Sequence, residues 1–190
     1  MRIYLYKVED SANTSTDHLS SEARERLSRY KSGEAYMRSL CAYNLVYSVY
    51  PDRELCFTDK GKPYIEGIDA DLSISHSEDM VVIAIAPSPV GVDVEQIRDV
   101  DYSNIIRFAM TEREKGCIVT PVDFYRFWTV KEAYAKATGR GLKGFPIDIE
   151  VYDDCVMDMP YHSMIIDDTY VLSVVSHDLS EIEVIRAKLV

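Results

Sequence analysis

Apolar and polar positions alternate over residues 3–8 in the manner of a strand, with tyrosine and leucine suited to a pleated surface. After a polar loop at 10–17, Leu19, Ala23, Leu27 and Tyr30 recur at helical spacing, with Ser20 or Ser21 placed to cap the helix. The other face of that helix carries Arg24, Arg26, Arg29 and Lys31, and Ser32-Gly33 breaks it. A more apolar helix is predicted over 34–50, stopped by Pro51. Short strands at 55–58 and 63–66 flank the turn Asp59-Lys60-Gly61, and two more at 72–75 and 80–86 flank a bend at 76–79. Pro87-Ser88-Pro89 is a stiff interruption near the midpoint and divides the chain into halves 1–89 and 90–190.

The second half opens with a predicted strand at 90–95, followed by helices at 103–109 and 111–117. Thr120-Pro121-Val122-Asp123 combines an N-cap, a first-turn proline and an acid three residues after the cap, so a helix is expected from there to Thr138, ending at Gly139. Strands are predicted at 147–152, 170–176 and 182–186. Helices mixed with antiparallel-type strands in both halves give an α+β class. No repeat links the two halves at the level of sequence.

Charge and cysteine usage narrow the function. With 21 Lys and Arg against 32 Asp and Glu, the net charge is −11, which argues against general nucleic-acid binding. The basic stripe of the first helix, extended by Arg38, is therefore a local exception; it is either a solvated face or a patch that steers anionic ligands. Cys41, Cys56, Cys117 and Cys155 show no metal-type spacing and are expected as free thiols. No apolar run reaches the length of a membrane span, and the N-terminus does not read as a signal peptide, so a cytoplasmic protein without membrane contact is expected.

Two segments carry candidate chemistry. In Gly91-Val92-Asp93-Val94-Glu95 the two carboxylates share one face of a strand and the valines share the other. Adjacent carboxylates repel unless a proton or a cation lies between them, and oxygen ligands suit Mg²⁺; the bland alternative is a solvated acidic face. In Phe127-Trp128-Thr129-Val130-Lys131-Glu132-Ala133-Tyr134-Ala135-Lys136, Glu132 and Lys136 lie four apart on one helix face, a spacing that also serves plain surface ion pairs. Ser75-His76-Ser77 is a poor nucleophile–base pair, because neighbouring strand residues point opposite ways. The glycine-rich run 139–144 lacks phosphate-loop spacing and reads as a helix stop and loop.

Taken together and in order, Gly61-Lys62-Pro63, Leu72-Ser73-Ile74-Ser75-His76-Ser77, Gly-Val-Asp-Val-Glu and the Trp-Thr-Val-Lys-Glu-Ala-Tyr-Ala-Lys helix resemble the motifs of the 4′-phosphopantetheinyl transferase superfamily, in its monomeric, surfactin-synthetase-activator-like branch. The resemblance covers residues 1 to about 142 and implies two similar α+β halves packed as a pseudo-dimer in one chain. It implies transfer of 4′-phosphopantetheine from coenzyme A to a serine of an apo acyl or peptidyl carrier protein, with release of 3′,5′-ADP and dependence on Mg²⁺ or Mn²⁺. Asp93, Glu95 and Glu132 would hold the metal, with Asp93, Glu132 and Lys136 catalytic. Coenzyme A would meet Arg26, Arg38, Ser39, Lys62, Pro63, Ser75, His76 and Lys136. Glu112 resembles a further acid near the metal, and Ala23 stands where the family offers a lysine. Arg107, Arg113 and Lys115 would face the carrier protein. The rival readings are a Mg²⁺-dependent hydrolase of coenzyme A or nucleotide pyrophosphate, and a degenerate coenzyme A-binding module.

Overall fold

The structure, a computed structural model, describes residues 1–8, 15–31, 33–140 and 146–189. Most of the polar loop expected at 10–17, Ser32 of the helix break, and positions 141–144 of the glycine-rich run lie outside them. In chain order the first half contains β1 (Arg2–Lys7), α1 (Ser21–Ser28), α2 (Gly33–Val49), β2 (Leu55–Phe57), β3 (Pro63–Ile65), β4 (Asp71–Ser77) and β5 (Met80–Ala86). Then follow β6 (Val90–Gln96), α3 (Ser103–Ala109), α4 (Glu112–Cys117), α5 (Pro121–Ala137), β7 (Cys155–Val156), β8 (Met159–Ile166), β9 (Tyr170–Ser176) and β10 (Glu183–Arg186). The mixture of sheets and helices is the expected α+β class.

One sheet has the order β10-β1-β5-β4, another β6-β9-β8-β7, and β2 and β3 form a separate hairpin. All pairs are antiparallel except β1 with β10. The first sheet buries one face under α1 and α2, through Leu27, Leu40, Leu45, Val81, Ile83 and Ile85. Its other face, with Ile3, Leu5, Val82 and Ala84, packs on Val90, Val92, Val94, Leu172 and Val174 of the second sheet. Helix α5 covers the far side of that second sheet, where Ala133 and Ala137 meet Val175 and Val156. The layers thus run helices, sheet, sheet, helix. Strands β5 and β9 are buried on both faces, which is why β5 reads as an unbroken apolar run and β9 as an apolar run interrupted by Ser173, with little alternation in either.

Several boundaries differ from the sequence expectation. Strand β4 continues through His76 and Ser77, and the turn shrinks to Glu78 and Asp79, with Glu78 at φ 50°. No strand forms over 147–152; only Val151 makes an isolated bridge, to Val156. Strand β8 carries His162 and Ser163 on a half-exposed surface, so its sequence lacks a clean strand period. Tyr30 falls beyond the end of α1 and is 41% exposed, outside the buried stripe. The last strand, β10, joins β1 in the first sheet, so the 89/90 boundary does not separate the sheets cleanly. All four cysteines are free.

Helix α5 lies against β6 with almost no clearance. A Cβ placed on Gly91 would stand 1.8 Å from the Ala133 carbonyl oxygen and 2.5 Å from the Ala137 amide nitrogen. Glycine is required there by close approach to backbone, which cannot swing aside. We expect Gly91→Ala to destabilise the protein by about 3 kcal/mol, the upper range for overpacking. Urea unfolding monitored by circular dichroism measures this; a change under about 0.5 kcal/mol would contradict the packing.

Candidate active site

The acidic strand and the long helix are both over-determined locally. Thr120 caps α5, accepting from the Asp123 amide, while Asp123 returns bonds to the Thr120 and Val119 amides. On β6, Val90, Val92 and Val94 are fully buried against the first sheet. Alternation then turns Gly91, Asp93 and Glu95 toward α5. Because Gly91 lets the helix settle onto the strand, Glu132 and Lys136 arrive beside Asp93 and Glu95. Lys136 Nζ donates to Asp93 Oδ1 at 2.7 Å and to the Val92 carbonyl at 3.1 Å.

These side chains line a cleft of about 390 Å³ that also takes Arg26, Tyr30, Ser39, Pro63, Ser75, His76 and Trp128. A hollow of about 290 Å³, lined by Lys60, Lys62, Pro63, Glu132 and Lys136, shares part of that wall. A larger one of about 710 Å³, between Tyr4, Tyr50, Asp69 and Glu183, contains none of the candidate chemistry.

The expected ligand-contacting residues divide into several kinds. Arg26 spreads its guanidinium over the Phe57 ring at 4.1 Å, with Glu22 3.6 Å away. On α2, Ser39 Oγ lies 3.4 Å from His76 Nε2, and the neighbouring Arg38 has a buried Nε without a hydrogen-bond partner. Lys62 is already engaged: its ammonium binds Asp71 at 2.5 Å and the Ala137 carbonyl, near the C-terminus of α5, at 3.3 Å. Ser75 is also committed, donating to Asp93 Oδ1 at 2.7 Å. Glu112 is no part of the cleft; its exposed side chain pairs with Lys115 at 2.7 Å.

Two functional supports escape reasoning from the sequence. The first is Glu114, fully buried with Lys131 at 2.7 Å. Glu114 also accepts from the Thr111 and Val151 amides, and Lys131 donates to the Ala109 and Pro146 carbonyls. The pair ties α4, α5 and the segment before β7 into one unit, directly beside Glu132. The spacing Thr111-x-x-Glu114 was the available signal, a capping box whose acid also reaches inward. The second is a ring stack in which Tyr102 lies on Phe124 at 4.3 Å and Phe124 is followed by Trp128 at 6.4 Å, backing the cleft wall.

The acidic strand and the signature helix lie in a segment, residues 89–175, that matches the model of the 4′-phosphopantetheinyl transferase superfamily. The chain is 30% identical over 143 residues to the 4′-phosphopantetheinyl transferase gsp of Aneurinibacillus migulanus, an alignment covering 68% of this chain and 60% of that one. It is 30% identical to the transferase Sfp of Bacillus subtilis strain 168, over 68% of this chain and 64% of that one. To the transferase ffp of Bacillus subtilis it is 28% identical, over 85% and 83% of the two. The chain thus resembles the 4′-phosphopantetheinyl transferase superfamily across its acidic strand and signature helix. It spans about 60% of the length of gsp and 47% of that of the transferase psf-1 of Bacillus pumilus.

The electrostatics of the cleft are those of crowded acids. Burial, and then the Asp93 charge, push the Glu132 carboxyl up to about 7. Glu95 is raised by the same two causes in the same order. Burial lowers His76, and the charges of Arg38 and Lys136 lower it further, favouring the neutral imidazole. Among the described residues, no three Asp, Glu, His or Cys side chains stand close enough to form a ready coordination set. The donor set nevertheless fits a hard cation. Asp93 Oδ1 is held by Ser75 and Lys136, while Asp93 Oδ2 is buried without any partner. A buried, ionisable oxygen with no donor is costly and calls for a ligand.

The raised Glu132 carboxyl has a defined effect on stability. Between pH 4.5 and about 7 the folded protein binds more protons than the unfolded chain, so stability falls as pH rises through that window. We expect Glu132→Gln to stabilise the metal-free protein at pH 8 by about 1–2 kcal/mol, with the gain gone near pH 4. On a chain of this size that is a Tm rise of roughly 3–6 °C, read by calorimetry at both pH values. A gain of equal size at pH 4 would contradict the assignment.

Proposed function

We propose that the protein transfers the 4′-phosphopantetheine group of coenzyme A to a serine hydroxyl of an apo acyl or peptidyl carrier protein, releasing 3′,5′-ADP. The match of residues 89–175 to the superfamily and the likeness to named transferases support the reaction class. The observation that carries the site assignment is the buried, partnerless Asp93 Oδ2 in a cleft that also holds Glu95, Glu132 and Lys136. Asp93, Glu95 and Glu132 would hold a Mg²⁺ ion. Bound there, the ion would neutralise charge on the diphosphate of coenzyme A as the serine oxygen bonds to phosphorus and the bond to the bisphosphate leaving group breaks.

The chain's own residues do the rest. Lys136 adds a fixed positive charge beside the reacting phosphates. Glu132 stands in the cleft as the carboxylate that would receive the serine proton. Arg26, Arg38, Ser39 and His76 converge from α1, α2 and β4 on the nucleotide side, where neutral His76 donates or accepts without adding charge. Pro63 contributes rigid wall between the two hollows. Lys62 acts mainly by holding the Gly61-Lys62-Pro63 turn against the end of α5, with its remaining N–H capacity toward ligand. In this reading the two halves form a pseudo-dimer with the cleft between them, and one chain suffices for activity.

Incubation with coenzyme A, Mg²⁺ and an apo carrier domain, followed by mass spectrometry, tests the proposal. The expected result is a mass gain of one phosphopantetheine on the carrier serine. Release of phosphopantetheine to water with the carrier unmodified would instead establish a hydrolase. Asp93→Ala is expected to reduce transfer by at least about 10³-fold, comparable to removing one main electrostatic group, with the fold retained by circular dichroism. Near-normal transfer by that variant would refute the metal assignment.

A further inference from the structure

Strand β4 meets β6 without backbone pairing. Asp71, Ser73, Ser75 and Ser77 alternate along one face of β4, and each accepts a main-chain N–H of β6. Asp71 Oδ2 takes Val90 at 2.7 Å, Ser73 takes Val92 at 3.0 Å, Ser75 takes Val94 at 3.4 Å and Ser77 takes Gln96 at 3.2 Å. Two of these hydroxyls do something the others do not. Ser75 Oγ donates to Asp93 Oδ1 and Ser77 Oγ donates to Glu95 Oε2, both at 2.7 Å.

A serine hydroxyl has one proton and two lone pairs. With a lone pair fixed by a β6 amide, the proton has a fixed direction, and in both cases it points at the carboxylate one residue before that amide. One oxygen of each acid is thereby anchored, which restricts the rotation of the carboxylate and leaves the other oxygen out of that bond. For Asp93 that other oxygen is the buried Oδ2 with no partner.

We propose that Ser75 and Ser77 are positioning residues that set Asp93 and Glu95 for cation binding, reading the backbone of β6 and the carboxylates of β6 with the same hydroxyl. This rests on the reading of Asp93 and Glu95 as metal ligands. It also gives Ser75 a different task from direct contact with coenzyme A phosphates, because its only proton is already spent on Asp93. Ser73 supplies an internal control: it is equally buried and accepts the Val92 amide at 3.0 Å, but it lies on the Gly91–Val92 side of the strand and is not bonded to Asp93 or Glu95.

The test is Mn²⁺ alone, titrated into the full chain by calorimetry and by the emission of Trp128, the single tryptophan, which lines the cleft. Ser77→Ala is expected to weaken Mn²⁺ binding about 10-fold, the usual scale for loss of a group that orients a ligand. Ser77→Thr, which keeps the hydroxyl, is expected to restore affinity to within about twofold of the parent, on the same scale. Ser73→Ala is expected to lower Tm by a similar amount to Ser77→Ala while leaving Mn²⁺ affinity unchanged. Equal affinity in Ser77→Ala and the parent, or equal weakening in Ser73→Ala, would overturn the positioning role and leave the metal reading standing. Failure of the parent itself to bind Mn²⁺, or equal binding by Asp93→Ala, would overturn the metal reading and the inference with it.

Discussion

Two strand edges meet in this protein, and how they satisfy each other governs everything near the cleft. Strand β4 ends the first sheet and β6 ends the second. An edge strand leaves a row of main-chain N–H groups that must find partners once buried. Here the partners are short side chains from β4, one for every second residue of β6. A side-chain bridge keeps the two strands farther apart than a backbone ladder would. That spacing lets the sheets stack face to face, with Val82 and Ala84 against Val92 and Val94, while still closing the seam.

The seam also explains why the acids can be buried. Asp93 is 4% exposed, which would be prohibitive for a carboxylate facing only hydrocarbon. It sits instead between a serine from one sheet and a lysine from a helix that Gly91 admits to within van der Waals distance. The fixed framework behind that helix is the Glu114–Lys131 pair, whose charges are enclosed and whose hydrogen bonds run to four main-chain groups in two stretches, at 109–111 and 146–151. Interior ion pairs add little net stability but penalise any arrangement that separates them, so this one fixes α5 in a single pose.

What the sequence made legible follows from locality. Helix α5 announced itself through Thr120, Pro121 and Asp123, and β6 through its three valines, because caps and strand alternation are short-range features. The acids and lysine of the cleft were visible as motif positions. The seam was not: Asp71, Ser73, Ser75 and Ser77 read as an ordinary polar face until β6 lies opposite them. Lys131 looked like one more charge on a helix, since only the tertiary fold brings Glu114 to it. The strand expected at 147–152 failed for a related reason. Its apolar residues Ile149 and Val151 are buried against α5 and β7 as loop anchors, while the extended pairing partner of β9 is β8, whose mixed polarity reflects a half-exposed face.

The parallel pairing of β10 with β1 couples Arg2–Leu5 to Glu183–Arg186, elements far apart in sequence. The Met1 amino group bonds the Glu181 carbonyl at 2.7 Å, and the Ala187 amide bonds Leu5 at 2.8 Å. During synthesis, then, the first sheet stays one strand short until Glu183–Arg186 have emerged, with one side of β1 unclosed in the meantime. The second sheet waits almost as long, because β9, which joins β6 to β8, ends at Ser176. The order of assembly is thereby biased toward a late closing step in which β10 completes the layer that β1 began.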